Sequence, residues 1–184
     1  MCMKTKPTYF TGEKALTRDE YTKLLSVTEN QEQKVLLMLG AGLGLRRFDM
    51  SRIIVRNIDF KNHTLIYLEK KKRDAPHTVH IPPKLEHELE IYINERKLGL
   101  NDRLFSVRDR QLCNWYYYLL DKAGIEKRGI HSLRGTCVKF CQAAGWSIEQ
   151  TAKLINDKVS TVQEHYSTPS QSEMKEITNN KEII

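Results

Sequence analysis

No apolar run in this 184-residue chain approaches the roughly 20 residues needed to span a bilayer. The Lys-containing N-terminus also lacks the apolar stretch of a signal peptide, so the expectation is a soluble protein acting in the cytoplasm. Cysteines are few: Cys2, Cys113, Cys137 and Cys141. None stands in CxxC spacing, and a chain of this size needs no disulfide staples, so they read as reduced thiols. Cys137 and Cys141 fall four apart on a predicted helix, but no His or second Cys pair stands near to complete a metal site. Two core cysteines is the better reading. The sequence also shows no internal repeat, no low-complexity segment and no paired acidic motif. Nothing in it calls for a metal or another cofactor.

What is present is positive charge. Lysine and arginine number 30 against 23 acidic residues, a formal charge of +7. Such a surface holds a polyanion such as nucleic acid near it, although many basic domains bind none. The length supports one sizeable core, with a single domain as the default. Residues 1–15 read as an extended arm or linker, 16–167 as the folded body and 168–184 as a tail. In the tail, Met174 and Ile177 form a short apolar stripe, too weak to hold a helix by itself, that needs a groove of this chain or, as a trans-packing helix, of a neighbouring molecule.

Capping patterns punctuate the body. Thr17 with Glu20 opens a first helix, with Leu16 and Tyr21 placed as a staple; Thr28 with Gln31 starts a second through Val35 to Leu39. That helix ends among Gly40, Gly42 and Gly44, and the turn leads Leu45-Arg46-Arg47-Phe48-Asp49 into another short helix. From Ile58 to Pro82 the alternation of β-branched and apolar residues predicts about three antiparallel strands, with a turn at Lys61-Asn62-His63 and a basic loop from Lys71 to Pro76. Pro83 suits a first helical position, and the run it starts is expected to stop at Gly99. Further helices are expected over 107–123 and 130–144, one capped by Ser147 with Gln150, and a last one capped by Ser160 with Gln163 before Tyr166. The fold class is α+β, mostly α, with one small antiparallel sheet.

Chemistry concentrates in a few strings. His131-Ser132-Leu133-Arg134 puts a His and an Arg three apart on one helix face. The guanidinium offers two phosphate oxygens a planar fork, and the imidazole can move a proton near neutral pH. Taken singly, each element has a bland reading: an HxLR string is usually surface, a run such as Lys70-Lys71-Lys72-Arg73 is usually a solvated loop, and most tyrosines are core residues. The cluster Trp115-Tyr116-Tyr117-Tyr118 could stack bases, but consecutive aromatics point all around a helix and packing is favoured. Upstream stand Gly44-Leu45-Arg46 and Asp49; downstream stands Tyr166.

In this order the strings resemble the tyrosine recombinase family of phage and transposon integrases: GLRxxD, a Lys in a β-hairpin, HxLRxT, then a Tyr near the chain's end. The resemblance runs from Leu16 to about Tyr166 and implies a helical catalytic domain with a three-stranded antiparallel sheet. It implies a site-specific recombinase that cleaves and rejoins double-stranded DNA through a 3′-phosphotyrosine. Tyr166 would be the nucleophile, Arg46 and Arg134 the clamp on the scissile phosphate, and His131 the proton acceptor. Lys72 would protonate the departing 5′-oxygen, with Lys70 and Lys71 as alternatives, while Asp49 would orient Arg46 by charge pairing.

One position departs from the family. Where Leu-Gly-His is usual, with the His or a Trp contacting phosphate, this chain has Ile155-Asn156-Asp157. A carboxylate there would repel a phosphate unless protonated or turned away, and Asn156 or Lys158 would be the replacement donor. This keeps alive a catalytically silent DNA-binding regulator as the alternative; an RNA-binding helical protein is a third reading. Self-assembly as a dimer or tetramer on DNA, and a monomer without it, are expected. The family's N-terminal DNA-clamping domain finds no counterpart in these residues, so a piece excised from a longer protein is favoured over a short protein.

Overall fold

Thr17 shows how locally the first helix is determined. Its hydroxyl accepts from the Glu20 N–H at 3.1 Å while the Glu20 carboxylate accepts from the Thr17 N–H at 2.9 Å, satisfying two end donors reciprocally. This box opens α1 (Arg18–Ser26) in the computed structural model, which describes residues 14–166 together with Lys175 and Thr178. Most of the arm and nearly all of the tail lie outside the described residues, as does the expectation of a helix packing between molecules.

The second helix, α2 (Gln31–Leu43), is the axis of the fold. Val35 to Leu39 and Leu43 are all buried, and α4, α5 and α6 pack around it. An all-round apolar helix is a buried helix. Gly40 permits the approach of α6, since a Cβ there would lie 2.7 Å from the Leu133 side chain. The start differs from the expected Thr28 cap. Thr28 donates its hydroxyl back to the Leu25 carbonyl at 2.8 Å, and Asn30 caps α2 by accepting from the Gln33 N–H at 2.9 Å. Gly44, at φ 65°, ends α2 in the left-handed conformation and hands the chain to the short helix α3 (Arg47–Met50).

The sheet has the order β1-β2-β3, all antiparallel: β1 (Ile58–Asp59), β2 (Thr64–Glu69) and β3 (Ala75–His80). Leu65, Tyr67 and Glu69 point inward while Ile66 and Leu68 stay exposed. The basic loop is tighter than 71–76. A single 3-10 turn over Lys70–Lys72 reverses the chain, with Arg73 and Asp74 at positive φ, and Pro76 already pairs with Leu68.

After the sheet, four helices precede the last described one. The first is α4 (Pro83–Arg96), which stops before Gly99 because Lys97 takes the left-handed cap. Then come α5 (Asp109–Lys122), α6 (Ser132–Ala143) and α7 (Ile148–Ile155), the last opened by the expected Ser147–Gln150 box. The chain ends its described body with α8 (Val159–His165), whose N-cap is Lys158, not Ser160: Asn156 at φ 52° ends α7 so sharply that the chain re-enters helix at once. In α5, Tyr116 is fully buried, Trp115 and Tyr117 pack partly against the core and Tyr118 is exposed. Among the described residues no helix is long and apolar enough to cross a membrane.

Apolar packing falls into two clusters. Most of α1 to α6 and the sheet share one. Cys137, Val138 and Cys141 of α6 form the other with Ala152, Ile155, Val162 and Tyr166. Cys113, Cys137 and Cys141 are buried free thiols.

Candidate active site

The left-handed Gly44 turn puts Arg46 in extended backbone at the N-cap of α3, with its side chain reaching Glu69 at the end of β2. Arg134, on the first turn of α6, is 1% exposed. Its Nη1 donates to the Gly44 carbonyl at 2.6 Å, so it braces the turn that carries Arg46. The Nη2 atoms of both arginines then meet on one oxygen: Asp157 Oδ2 accepts from Arg134 at 2.8 Å and from Arg46 at 3.0 Å. The Nε of Arg134 is buried with no hydrogen-bond partner among the described residues.

Such proximity shows in the electrostatics. Burial and the Arg134 charge both lower the Arg46 pKa. Burial pushes the Asp157 carboxyl up, but the hydrogen bond and charge of Arg134 with the charge of Arg46 outweigh it, leaving Asp157 below the usual carboxylate range.

A second carboxylate lies beneath. Glu69 is 0% exposed, pairs with Arg46 Nη1, and accepts from Asn156 Nδ2 at 2.6 Å. Lys72 Nζ lies 3.6 Å from Glu69 Oε2 and donates to Asn156 Oδ1 at 2.6 Å and to the Asn156 carbonyl at 2.9 Å. Thus the hairpin lysine is drawn toward the arginines by the α7–α8 turn. Lys70 is held differently, its ammonium 3.8 Å from the centre of the Phe48 ring, and Lys71 is exposed.

Asp49 does not take the expected partner. Its Oδ1 accepts the Lys70 N–H at 3.1 Å and its Oδ2 has no hydrogen-bond partner among the described residues, while Arg46 turns to Glu69 and Asp157. Burial raises the Asp49 pKa against the pull of the Lys70 N–H and of Arg46. Glu69 was not anticipated. The signal was the alternation Leu65-Tyr67-Glu69, which carries an inward register one step into a run that otherwise reads as a charged turn.

Tyr166 follows α8, 4% exposed, with its hydroxyl 3.0 Å from His131 Nε2. Burial raises the phenol pKa despite the opposing Arg134 charge. His131 keeps solvent-exposed surface at the start of α6, yet the protein crowds its ring. That crowding, with the charges of Arg134 and Arg46, pulls the imidazole down to about 4. At neutral pH it is therefore uncharged and able to accept a proton. Beside Arg46 and His131 opens a groove of about 390 Å³, also lined by Arg47, Phe48, Tyr117 and Ile130.

Two guanidiniums, a lysine, an imidazole and a tyrosine thus converge from four separate parts of the chain, since His131 and Arg134 share the start of α6. The fold that brings them together is the catalytic-domain fold of the tyrosine recombinases. A crystal structure of XerA recombinase matches with a TM-score of 0.78 at 20% identity, over 90% of this chain and 64% of that one. The Tn1549 transposon integrase in complex with transposon right end DNA matches at 0.71 and 15% identity, over 98% and 68%. A lambda integrase dimer bound to a COC′ core site matches at 0.70 and 14%, over 93% and 65%.

In sequence, the chain is 32% identical over 84 residues to tyrosine recombinase XerA of Pyrococcus horikoshii, covering 46% of this chain and 29% of the relative. It is 26% identical over 145 residues to tyrosine recombinase XerA of Saccharolobus solfataricus, covering 79% of this chain and 48% of the relative. The chain therefore spans about half or less of the curated relatives it matches. No protein-family model matches it. In sequence and in fold the chain is similar to the tyrosine recombinase catalytic domain.

Proposed function

We propose that this chain cleaves and rejoins double-stranded DNA by site-specific recombination, with Tyr166 as nucleophile. The observation that carries the reading is the Tyr166 hydroxyl 3.0 Å from His131 Nε2, beside two arginines aimed at a single oxygen position.

In the forward step the Tyr166 oxygen attacks phosphorus in line and its proton passes to His131 Nε2. The bond from phosphorus to the 5′-oxygen breaks, and Lys72 protonates that oxygen, leaving a 3′-phosphotyrosine and a free 5′-hydroxyl. Rejoining reverses each transfer, so bond energy is conserved and no external energy source is needed. Arg46 and Arg134 stabilise the extra negative charge of the five-coordinate transition state, which forms where their Nη2 atoms already converge. The dianionic transition state also raises the basicity of His131, whose low pKa owes first to burial and then to those same two charges. Lys72 is favoured over its neighbours as the acid because it alone of the three is tied to Asn156 and Glu69 at the site.

The groove beside Arg46 suits one edge of a duplex strand, and assembly of two or more copies on DNA completes the reading. The rival is a silent DNA-binding regulator, which the Asp157 carboxylate between the arginines favours.

An adduct assay tests the choice. Incubation with nicked duplexes, resolved under denaturing conditions, should show protein covalently attached to a DNA 3′-end, lost in Tyr166→Phe with duplex affinity nearly intact. Adducts that persist in that variant would move the nucleophile elsewhere, and no adducts from the unaltered chain would favour the regulator.

A further inference from the structure

Asn156 and Asp157 are neighbours in sequence, yet between them they engage three of the cations of the site. Asp157 Oδ2 takes the Nη2 atoms of Arg46 and Arg134, while Asn156 takes Lys72 through both its side-chain oxygen and its carbonyl and donates to Glu69. The left-handed backbone of Asn156, φ 52° and ψ 54°, lets consecutive side chains serve one site. We propose that this turn is a built-in occupant of the phosphate position: Asp157 stands in for the DNA phosphodiester and must leave before one can bind between Arg46 and Arg134.

The argument is first one of charge. A phosphodiester and a carboxylate each carry one negative charge, and both require the Nη2 donors of the same two arginines. Two anions cannot share that point unless one takes a proton, which the arginines beside Asp157 oppose. It is next one of freedom to move. Asp157 Oδ1 already accepts the Lys158 N–H at 3.1 Å, a local bond that a carboxylate turned toward solvent can keep. The turn is flanked by Ile155 and Val162 of the smaller apolar cluster, which α6 shares with α7 and α8, and not by the main core. A small cluster opens at lower free energy than a large one.

Withdrawal of the turn also releases Lys72 and brings Tyr166 under the influence of the same motion, since Ile155 and Tyr166 share that cluster. The device therefore keeps stray phosphate out and admits a phosphodiester only when the rest of a DNA surface helps displace the turn. The apparent affinity for small anions falls by the fraction of molecules whose turn is open.

The inference rests on the recombinase reading in taking the arginine pair for a phosphate clamp. The test uses the full chain and inorganic phosphate at constant ionic strength, following binding calorimetrically and through the thermal midpoint. Asp157→Asn and Asp157→Ala should bind phosphate roughly tenfold or more tighter than the unaltered chain. The gain should vanish when Arg46→Ala is added. A variant destabilised by two facing guanidiniums should regain its midpoint as phosphate is added, whereas the unaltered chain should not shift.

Equal phosphate binding in all forms, a gain that survives Arg46→Ala, or a destabilised variant that phosphate does not rescue would overturn the proposal. Covalent adducts measured on the same preparations keep the two readings apart. Phosphate gain without adducts retains the displaced carboxylate and removes the recombinase chemistry. Adducts without phosphate gain do the reverse.

Discussion

Arg46 and Arg134 each engage Asp157 through a terminal nitrogen, but they differ in how they are held. Arg134 is buried and anchored on the Gly44 carbonyl, while Arg46 is partly exposed and anchored on Glu69. Both should therefore matter more to the transition state than to DNA affinity. Arg46→Ala and Arg134→Ala should each slow single-turnover cleavage by about a hundredfold to a thousandfold, with duplex affinity falling far less. An equal loss in both would reduce them to ordinary phosphate contacts. The titratable groups make a second prediction. The folded pKa of His131, about 4, lies below its ordinary 6.5, so its share of stability is full above 6.5 and is lost as pH falls toward 4. Asp157 is also depressed, so its share is full above the ordinary carboxylate value and is lost only as pH falls through its own lower one. Both face Arg46 and Arg134, and His131 also faces Lys71 and Tyr166. Denaturation midpoints across pH should fall less between 6.5 and 4 in His131→Gln, and less below the ordinary carboxylate range in Asp157→Asn, where Glu29, Asp59, Glu88 and Glu149 still contribute. A pH profile that neither variant changes would contradict both assignments.

Among the elements, the junction of α2 with α7 is the most constrained. A Cβ on Gly44 would lie 2.5 Å from Ile155 Cγ2, and the residue sits at positive φ. Gly44→Ala should cost about 1–2 kcal/mol from backbone conformation alone, and more from the displaced Ile155. Hydrogen exchange should show the added opening in α7 and α8 while the centre of α2 stays protected; uniform loss across both would mean that the two clusters unfold as one. The same junction shows what could be read from sequence. Boxes at Thr17 and Ser147 were legible because donor and acceptor lie three residues apart. The three strands were legible from alternation. Thr28 and Ser160 misled because Asn30 and the abrupt turn at Asn156 offered better local solutions. The two-arginine site was visible as an ordered set of strings. Its closure by Asp157 and Glu69 was not, because those pairs join residues far apart in sequence, and a charge ending a strand ordinarily faces water.

At the scale of the whole molecule, the charge of +7 suits the proposed DNA partner, but not every cation would contribute alike to the salt dependence of that binding. Affinity falls with salt because cations that meet phosphates displace condensed counterions, at about 0.9 of a logarithmic unit per phosphate neutralised. That count assumes a cation facing solvent before it meets DNA. Lys71 is exposed at the hairpin and fits the assumption. Arg134 does not, since it is buried and already neutralised by Asp157, so a phosphodiester at its Nη2 exchanges one anion for another and leaves the molecule's charge as it was. Lys71→Ala should therefore lower the slope of log affinity against log salt by about one. Arg134→Ala should lower it by well under half of that. In an Asp157→Asn background the arginine faces phosphate unpaired, and the same Arg134→Ala change should then approach a full unit. Affinities of these four variants and the unaltered chain for one duplex, measured across a salt series, decide the matter: an Arg134 effect of the same size in both backgrounds would mean that Asp157 never competes with DNA for the arginines.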